Sequence, residues 1–272
     1  MSVSFGLQLL HLSKPTAMLT ALKQQKLLNF LKGYRKEFLD GNLKELDESG
    51  TRIMINRFLS EVLGYKQLEE IKTEYMIKGT YADCVIQVNK TRHFLVEVKA
   101  LSFQLSEKHL RQTVNYGANE GIEYALLTNG RNFEFYKIIF AQPISSRLIF
   151  AIDLGDAASL KNAAGHLQHL HKESVVKNSF KPLWNKCEAT DPYNVADILC
   201  SDTVLNCIKK LIRTKYNEKC TDEVLLAAVH KIVADRMDPA RIKPFKAAKM
   251  RGKKEKVTAV EAEAIPATIA EP

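Results

Sequence analysis

The stretch that decides the fold is residues 81–101, YADCVIQVNKTRHFLVEVKAL. Residues 81–88 and 93–101 are rich in β-branched and aromatic side chains, and residues 89–91 (NKT) between them favour a turn. We therefore predict two antiparallel strands joined as a hairpin. Both strands carry charged side chains in their interiors, which is costly in a buried strand unless each charge has a partner.

The charged residues of this hairpin share one face only in one register. Glu97 and Lys99 point the same way because side chains alternate along a strand. A three-residue loop at residues 89–91 places Asp83 directly opposite Glu97. A two-residue loop would instead place Asp83 opposite Val98, with the two carboxylates on opposite faces. A shared site therefore requires the three-residue loop or an equivalent bulge.

Two adjacent carboxylates beside a lysine indicate metal-assisted hydrolysis of a phosphodiester. Carboxylates this close repel each other unless a cation lies between them. Mg²⁺ binds one or two carboxylates and keeps water molecules for a phosphate substrate. We predict Asp83, Glu97 and the Val98 carbonyl as ligands of Mg²⁺, with Mn²⁺ as an alternative ion. Lys99 is the predicted catalytic residue, which orients or deprotonates water or stabilises the developing charge.

Apolar periodicity predicts the elements around the hairpin. The predicted helices cover residues 16–40, 47–63, 106–119, 159–172, 202–217 and 222–236. The further strands cover residues 69–77, 123–128, 133–140 and 147–153. Asn129-Gly130 predicts a turn, and residues 174–195, which contain two prolines, are predicted to be irregular.

The order of these motifs resembles the PD-(D/E)XK nucleases. Asp83 followed by Glu97-x-Lys99 matches their signature, although Ala82 replaces the usual proline. Over residues 45–150 the sequence is similar to the N-terminal nuclease domain of type I restriction enzyme R subunits and their stand-alone relatives. The matching stretches are, in order, ESGTRIMINRFLSEVLGY, Glu74-Tyr75, YADCVI, FLVEVKA, Gln112-x-x-x-Tyr116, LLTNG and FEFYKI.

This resemblance implies an α/β (α+β) fold: a restriction-endonuclease-like mixed sheet flanked by helices. It also implies a Mg²⁺-dependent endodeoxyribonuclease in which Asp83 and Glu97 bind the metal and Lys99 is catalytic. Gln112 and Tyr116 match the helix motif of the family. They lie four residues apart and so share a helix face, where they would contact DNA or the active-site groups.

The resemblance further implies an acidic metal ligand in the first core helix. Glu48 is the candidate because Ile55 and Leu59 follow it on one helical line, but Asp47 is close in phase and remains an alternative. The sequence has no GxxxxGK[ST] motif, so ATP-driven translocation would need another protein. Other restriction or defence subunits are therefore expected partners.

The net charge of +9 predicts a polyanionic partner. Residues 240–256 hold eight Lys and Arg against one Glu, and residues 257–272 are rich in alanine. Both segments are predicted to form a disordered tail that binds DNA non-specifically. The predicted DNA contacts in this tail are Lys246, Lys249, Arg251, Lys253 and Lys254.

Four segments are predicted from these patterns. They are an N-terminal helical arm (1–45), a restriction-endonuclease-like nuclease domain (46–154), a helical accessory region (155–236) and the flexible tail (237–272). No charge-free run is long enough to cross a membrane. The basic segment has few large apolar residues and contains Pro244 and Gly252, so a membrane surface is not an expected partner either. Five cysteines without a CxxC pair favour a reducing cytoplasm.

Three alternatives remain open at this level. The domain could be a catalytically silent module that binds DNA or docks onto a restriction complex, or it could act on RNA. The cluster His166, His169 and His171 could bind a metal, but its spacing is more typical of a packed or exposed helix. The oligomeric state is not predicted.

Overall fold

The computed structural model describes residues 19–41, 46–77 and 80–234. The chain forms two compact units, divided between Val195 and Ala196. The predicted basic tail, with its five proposed DNA contacts, lies outside the described residues. No helix in the described ranges is both long and apolar enough to span a membrane.

The first unit contains the sheet and most of the helices. The strands are β1 (Ile71–Ile77), β2 (Thr80–Val88), β3 (Thr91–Val98), β4 (Tyr124–Thr128), β5 (Asn132–Ile139) and β6 (Ser145–Asp153). Its helices are α1 (Ala21–Tyr34), α2 (Glu48–Arg57), α3 (Glu107–Glu120), α4 (Leu160–Leu167), α5 (Lys172–Val176) and α6 (Phe180–Ala189). Helix α7 (Pro192–Leu199) begins in the first unit and ends in the second. The second unit contains α8 (Asp202–Tyr216) and α9 (Asp222–Ala234). Helices α1 and α2 each continue into a π-helical turn.

The six strands of the described chain lie in sequence order, β1 to β6. Strands β3 and β4 are parallel, and all other neighbours are antiparallel. Helix α3 connects the parallel pair, since parallel neighbours need a crossover. The prediction of a mixed sheet flanked by helices is confirmed.

Each face of the sheet has its own hydrophobic core. On one face, Val114 of α3 packs with Val85 and Leu95. On the other face, α1, α2, α4, α5 and α6 bury apolar side chains against the sheet. Asp83 and Glu97 alternate in phase with Val85 and Leu95, so both carboxylates lie on the α3 face.

The prediction that residues 174–195 are irregular is wrong, because α5, α6 and the start of α7 cover most of them. Phe180 and Leu183 are buried in the core on the sheet face opposite α3, and their burial stabilises α6. Pro182 and Pro192 lie in the first turns of α6 and α7. A helix does not use its backbone N–H groups there, so these prolines break nothing.

Candidate active site

The β2–β3 hairpin has the register that a shared carboxylate site requires. Its loop has two residues, 89–90, which alone would separate the carboxylates onto opposite faces. A bulge leaves His93 without a partner and shifts the register by one residue. Beyond this bulge the pairing brings Asp83 opposite Glu97. The structure therefore has the equivalent bulge rather than the three-residue loop.

Asp83 is buried, and both of its carboxylate oxygens have partners. Oδ2 accepts a hydrogen bond from the backbone N–H of Val98 at 2.7 Å. Oδ1 lies 2.6 Å from Nη2 of Arg52. Burial raises the pKa of Asp83, and the Val98 N–H and the Arg52 charge oppose this shift. The carboxylate is thus held in place, but its partners do not fully offset the cost of burying its negative charge.

Glu97 is buried and forms an ion pair with the partly buried Lys99. Nζ of Lys99 lies 2.8 Å from Oε1 of Glu97. Burial and the charge of Asp83 raise the pKa of Glu97 to about 7, although Lys99 opposes the shift. Burial acts to lower the pKa of Lys99, but its hydrogen bond to Glu97 and the nearby carboxylates outweigh this and raise it.

The start of α2 distinguishes Glu48 from Asp47. Asp47 is the N-cap, and its Oδ1 accepts the backbone N–H of Gly50 at 2.7 Å. Glu48 instead points to the site, where Oε1 lies 2.7 Å from Nη2 of Arg52 and Oε2 lies 3.8 Å from Nζ of Lys99. We refer to Glu48, Arg52, Asp83, Glu97 and Lys99 as the carboxylate cluster.

Arg52 is the member of the carboxylate cluster that sequence reasoning missed. Its Nη2 bridges Glu48 and Asp83, which come from a helix and a strand. A signal was present, because Arg52 follows Glu48 by four residues and a helix places such residues side by side. The contact with Asp83 carries no such signal, since it depends on how α2 packs against the sheet.

Gln112 and Tyr116 bond to each other rather than to the carboxylates. Nε2 of Gln112 donates to the Tyr116 hydroxyl at 2.6 Å. The hydrogen bonds of the described residues include none from this pair to the carboxylate cluster. His109 lies one turn earlier in α3, and burial and then the Lys99 charge lower its pKa. Sequence reasoning missed His109, although it shares a helical line with Gln112 and Tyr116.

The donor set of the carboxylate cluster suits a hard divalent cation. Glu48, Asp83 and Glu97 offer carboxylate oxygens, the ligands that Mg²⁺ prefers, and burial disfavours the charge on two of them. No three His, Cys, Asp or Glu side chains in the described ranges converge in an arrangement ready for a metal. Arg52 and Lys99 contact the oxygens that such an ion would use.

Fold and site together define a mixed α/β domain with a carboxylate–lysine cluster on its central hairpin. Residues 47–143 match the family model described as "Type I restriction enzyme R protein N terminus". The match includes strands β1 to β5 and every residue of the carboxylate cluster. The predicted resemblance to the N-terminal domain of type I R subunits is therefore confirmed for this segment. Neither the curated proteins nor the solved structures include a match.

Proposed function

We propose that the protein is a metal-dependent nuclease that hydrolyses phosphodiester bonds of DNA. One observation carries the proposal: a bulge aligns two buried carboxylates, Asp83 and Glu97, with the ammonium group of Lys99. The segment around them resembles a restriction enzyme domain. A surface ion pair would not need this burial, and two buried carboxylates are costly unless they are compensated or perform chemistry.

The three carboxylates of the cluster and Lys99 each have a proposed role. Asp83, Glu97 and Glu48, with the carbonyl of Val98, are the proposed ligands of Mg²⁺ or Mn²⁺. The bound ion would act as a Lewis acid and lower the pKa of a water molecule. Lys99 keeps its proton because its pKa is raised. It is therefore better suited to orient water and neutralise phosphate charge than to accept a proton.

Helix α3 supplies the proposed wall of the site. The Tyr116 ring is buried in the core between α3 and the sheet, and its hydroxyl accepts the hydrogen bond from Gln112. The Gln112 side chain is exposed at the surface. Gln112 can then contact DNA while Tyr116 holds α3 against the sheet. His109 lies near the start of α3, where burial and then the charge of Lys99 lower the pKa of its imidazole.

The alternative is a catalytically silent module that binds DNA or docks onto a restriction or defence complex. The specific observation that favours it is the pairing of the carboxylates: Arg52 and Lys99 contact all three of them. A network with these pairings could serve the fold alone. Carboxylate-dependent metal affinity separates the two functions, because a silent module needs none.

Supercoiled plasmid incubated with Mg²⁺, and in parallel with EDTA, tests the proposal. We expect nicking with Mg²⁺ that Lys99→Ala and Asp83→Ala each remove while DNA binding remains. Lys137→Ala is the matched control, because Lys137 is buried to a similar degree and pairs with Glu123. Undiminished nicking by both cluster variants would refute the site. A single-stranded RNA substrate in the same assay tests the alternative substrate.

The remaining parts of the proposal concern partners and location. Lys246, Lys249, Arg251, Lys253 and Lys254 are the proposed tail contacts to DNA. Other restriction or defence subunits are proposed partners, by analogy with type I enzymes. The proposed compartment is the cytoplasm, in agreement with five cysteines that form no disulfide in the described chain.

A further inference from the structure

Arg52 belongs to the carboxylate cluster but has no part in the reaction proposed above. A single nitrogen, Nη2, lies 2.7 Å from Oε1 of Glu48 and 2.6 Å from Oδ1 of Asp83. Oδ2 of Asp83 is already bonded to the backbone N–H of Val98. Oδ1 is therefore the oxygen that Asp83 can offer to a metal, and the guanidinium of Arg52 contacts it.

The position of Arg52 leaves one of its donors unused. Its Nε is buried and has no hydrogen-bond partner within the described chain, which is unfavourable for a charged group. Arg57 at the end of the same helix is about as exposed, at 38% against 39% for Arg52. Arg57 bonds through Nε and both terminal nitrogens to Glu37 and Glu61. Arg57 is thus a fully satisfied structural ion pair, whereas Arg52 is not.

The charge of the cluster also depends on Arg52. With Arg52 in place, three carboxylates face two cations. If Arg52 turns away, the same carboxylates face Lys99 alone, and two negative charges are in excess. A divalent cation neutralises that excess. A guanidinium that leaves the cluster can bind a phosphate through two parallel N–H donors.

We propose that Arg52 is a phosphate-binding residue that holds the metal-facing carboxylates until DNA draws it away. This inference rests on the proposed nuclease function. Metal and DNA each favour the state in which Arg52 has left Asp83. The binding of one therefore strengthens the binding of the other, and linkage makes this coupling equal in both directions.

The first test is a titration of the full chain with Mn²⁺ in the absence of DNA. The electron paramagnetic resonance signal of free Mn²⁺ measures how much of the ion is bound. Arg52→Gln removes the competing cation and should bind Mn²⁺ about tenfold more tightly than the wild type. Arg57→Gln, the matched control from the same helix, should bind as the wild type does. Asp83→Asn should lose this affinity.

The second test measures the affinity for a labelled DNA duplex by fluorescence anisotropy, with and without Ca²⁺. Ca²⁺ is an oxygen-seeking cation, and a gel run in parallel checks that the duplex stays intact. In the wild type Ca²⁺ should raise DNA affinity about tenfold. In Arg52→Gln the gain should fall to about threefold or less, while Arg57→Gln should keep it.

The outcomes separate this inference from the proposed function. If Asp83→Asn binds Mn²⁺ as the wild type does, the metal site itself is refuted, and the inference falls with it. If Asp83→Asn loses Mn²⁺ while Arg52→Gln binds it equally or more weakly, the role of Arg52 alone is refuted. If Arg52→Gln does not fold, the wild type decides, because absence of a Ca²⁺ effect on DNA affinity overturns the coupling.

Discussion

Two polar clusters in this chain differ in how their members come together and in what their members contact. The carboxylate cluster places carboxyl groups beside cations, as in the contacts of Asp83 with Arg52 and of Glu97 with Lys99, and these cations oppose the rise in pKa that burial causes. The histidine cluster, which we define as His166, His169 and His171, keeps no such charge. Burial lowers the pKa of all three histidines, so the neutral form is favoured.

The neighbours of each cluster explain this difference. His166 packs its ring against Phe150 with centroids 5.0 Å apart, and Lys186 further disfavours a charge on it. His171 caps α5 by accepting the backbone N–H of Glu173. These are structural roles, as the sequence spacing predicted. Like charges in the carboxylate cluster are thus compensated by cations, whereas the histidines can be neutral and can serve packing and capping.

The largest expected effect separates the two clusters by activity. In the plasmid assay, Lys99→Ala should lower the rate of Mg²⁺-dependent nicking by about 10²–10³-fold, because a charged donor to the transition state is lost. His166→Ala should leave the rate within about twofold. Equal losses in both variants would show that the comparison fails and that nicking reports general damage to the fold.

The second prediction tests the packing that brings α2 to the sheet. Gly130 has φ +86°, and a Cβ there would lie 1.8 Å from the Met54 side chain of α2. The Tyr34 hydroxyl also donates to the Gly130 carbonyl at 2.7 Å. Gly130→Ala should lower the free energy of unfolding by about 3 kcal/mol, from overpacking and backbone strain together.

Gly121→Ala is the control for this effect, measured by denaturant unfolding. Gly121 has φ +66° with no atom within 4 Å of a built Cβ, so only the backbone strain of about 1 kcal/mol applies. Equal losses at both glycines would mean that the turn at residues 128–130 does not support α2. Metal affinity should fall with Gly130→Ala, because the proposed ligand Glu48 is carried by that helix.

The third prediction concerns acid and the histidine cluster. The pKa of His169 is lowered to about 4 by burial and by His166, below its ordinary value of about 6.5 in an unfolded chain. The unfolded state therefore binds the proton first. The contribution to stability is complete above pH 6.5 and is lost as the pH falls from 6.5 towards 4.

The expected size of this effect is modest because His169 is partly exposed. Between pH 7 and pH 5 the wild type should lose about 1–2 kcal/mol more than His169→Gln, as measured by urea unfolding at each pH. Parallel curves for the two proteins would show that His169 titrates normally. Nicking at pH 7 by His169→Gln should match the wild type, since its ring has no part in the proposed site.

The smallest expected effect concerns affinity rather than chemistry. Truncation after Pro239 removes the basic segment 240–256, which lies outside the described residues. DNA affinity at low salt should fall about tenfold. The slope of log affinity against log salt should become shallower, because binding releases fewer counterions when fewer phosphates are contacted. Nicking at saturating DNA should persist. A steep slope in the truncated protein would place the phosphate contacts on the folded part of the chain.

The hairpin of β2 and β3 shows which features of the site can be predicted from the local order of residues. The shared face of Glu97 and Lys99 follows from strand alternation, whereas the mixed sheet was expected from the resemblance to the restriction enzyme domain. The register of Asp83 was predicted only as a choice between a longer loop and a bulge. The energetic balance between turn geometry and strand pairing makes that choice, and the letters of the loop do not reveal it.

Helices α5 and α6 were not predictable from the local sequence pattern. Two prolines favoured irregular chain, yet Phe180 and Leu183 are buried and α6 forms around them. The gain from burying these side chains against the sheet exceeds the weak local preference of the segment. That gain depends on a partner surface far away in the sequence.

The sequence alone determined the strand that bears Glu97 and Lys99, the mixed α/β class and the resemblance to the restriction enzyme domain. Strand alternation and helix periodicity are local, so they can be read from the residue order. Only the tertiary structure decided that His93 forms the bulge, that Glu48 rather than Asp47 reaches the site, and that Arg52 bridges two carboxylates. Each of these depends on how α2 and the hairpin pack together, since long-range contacts set the distances between charges.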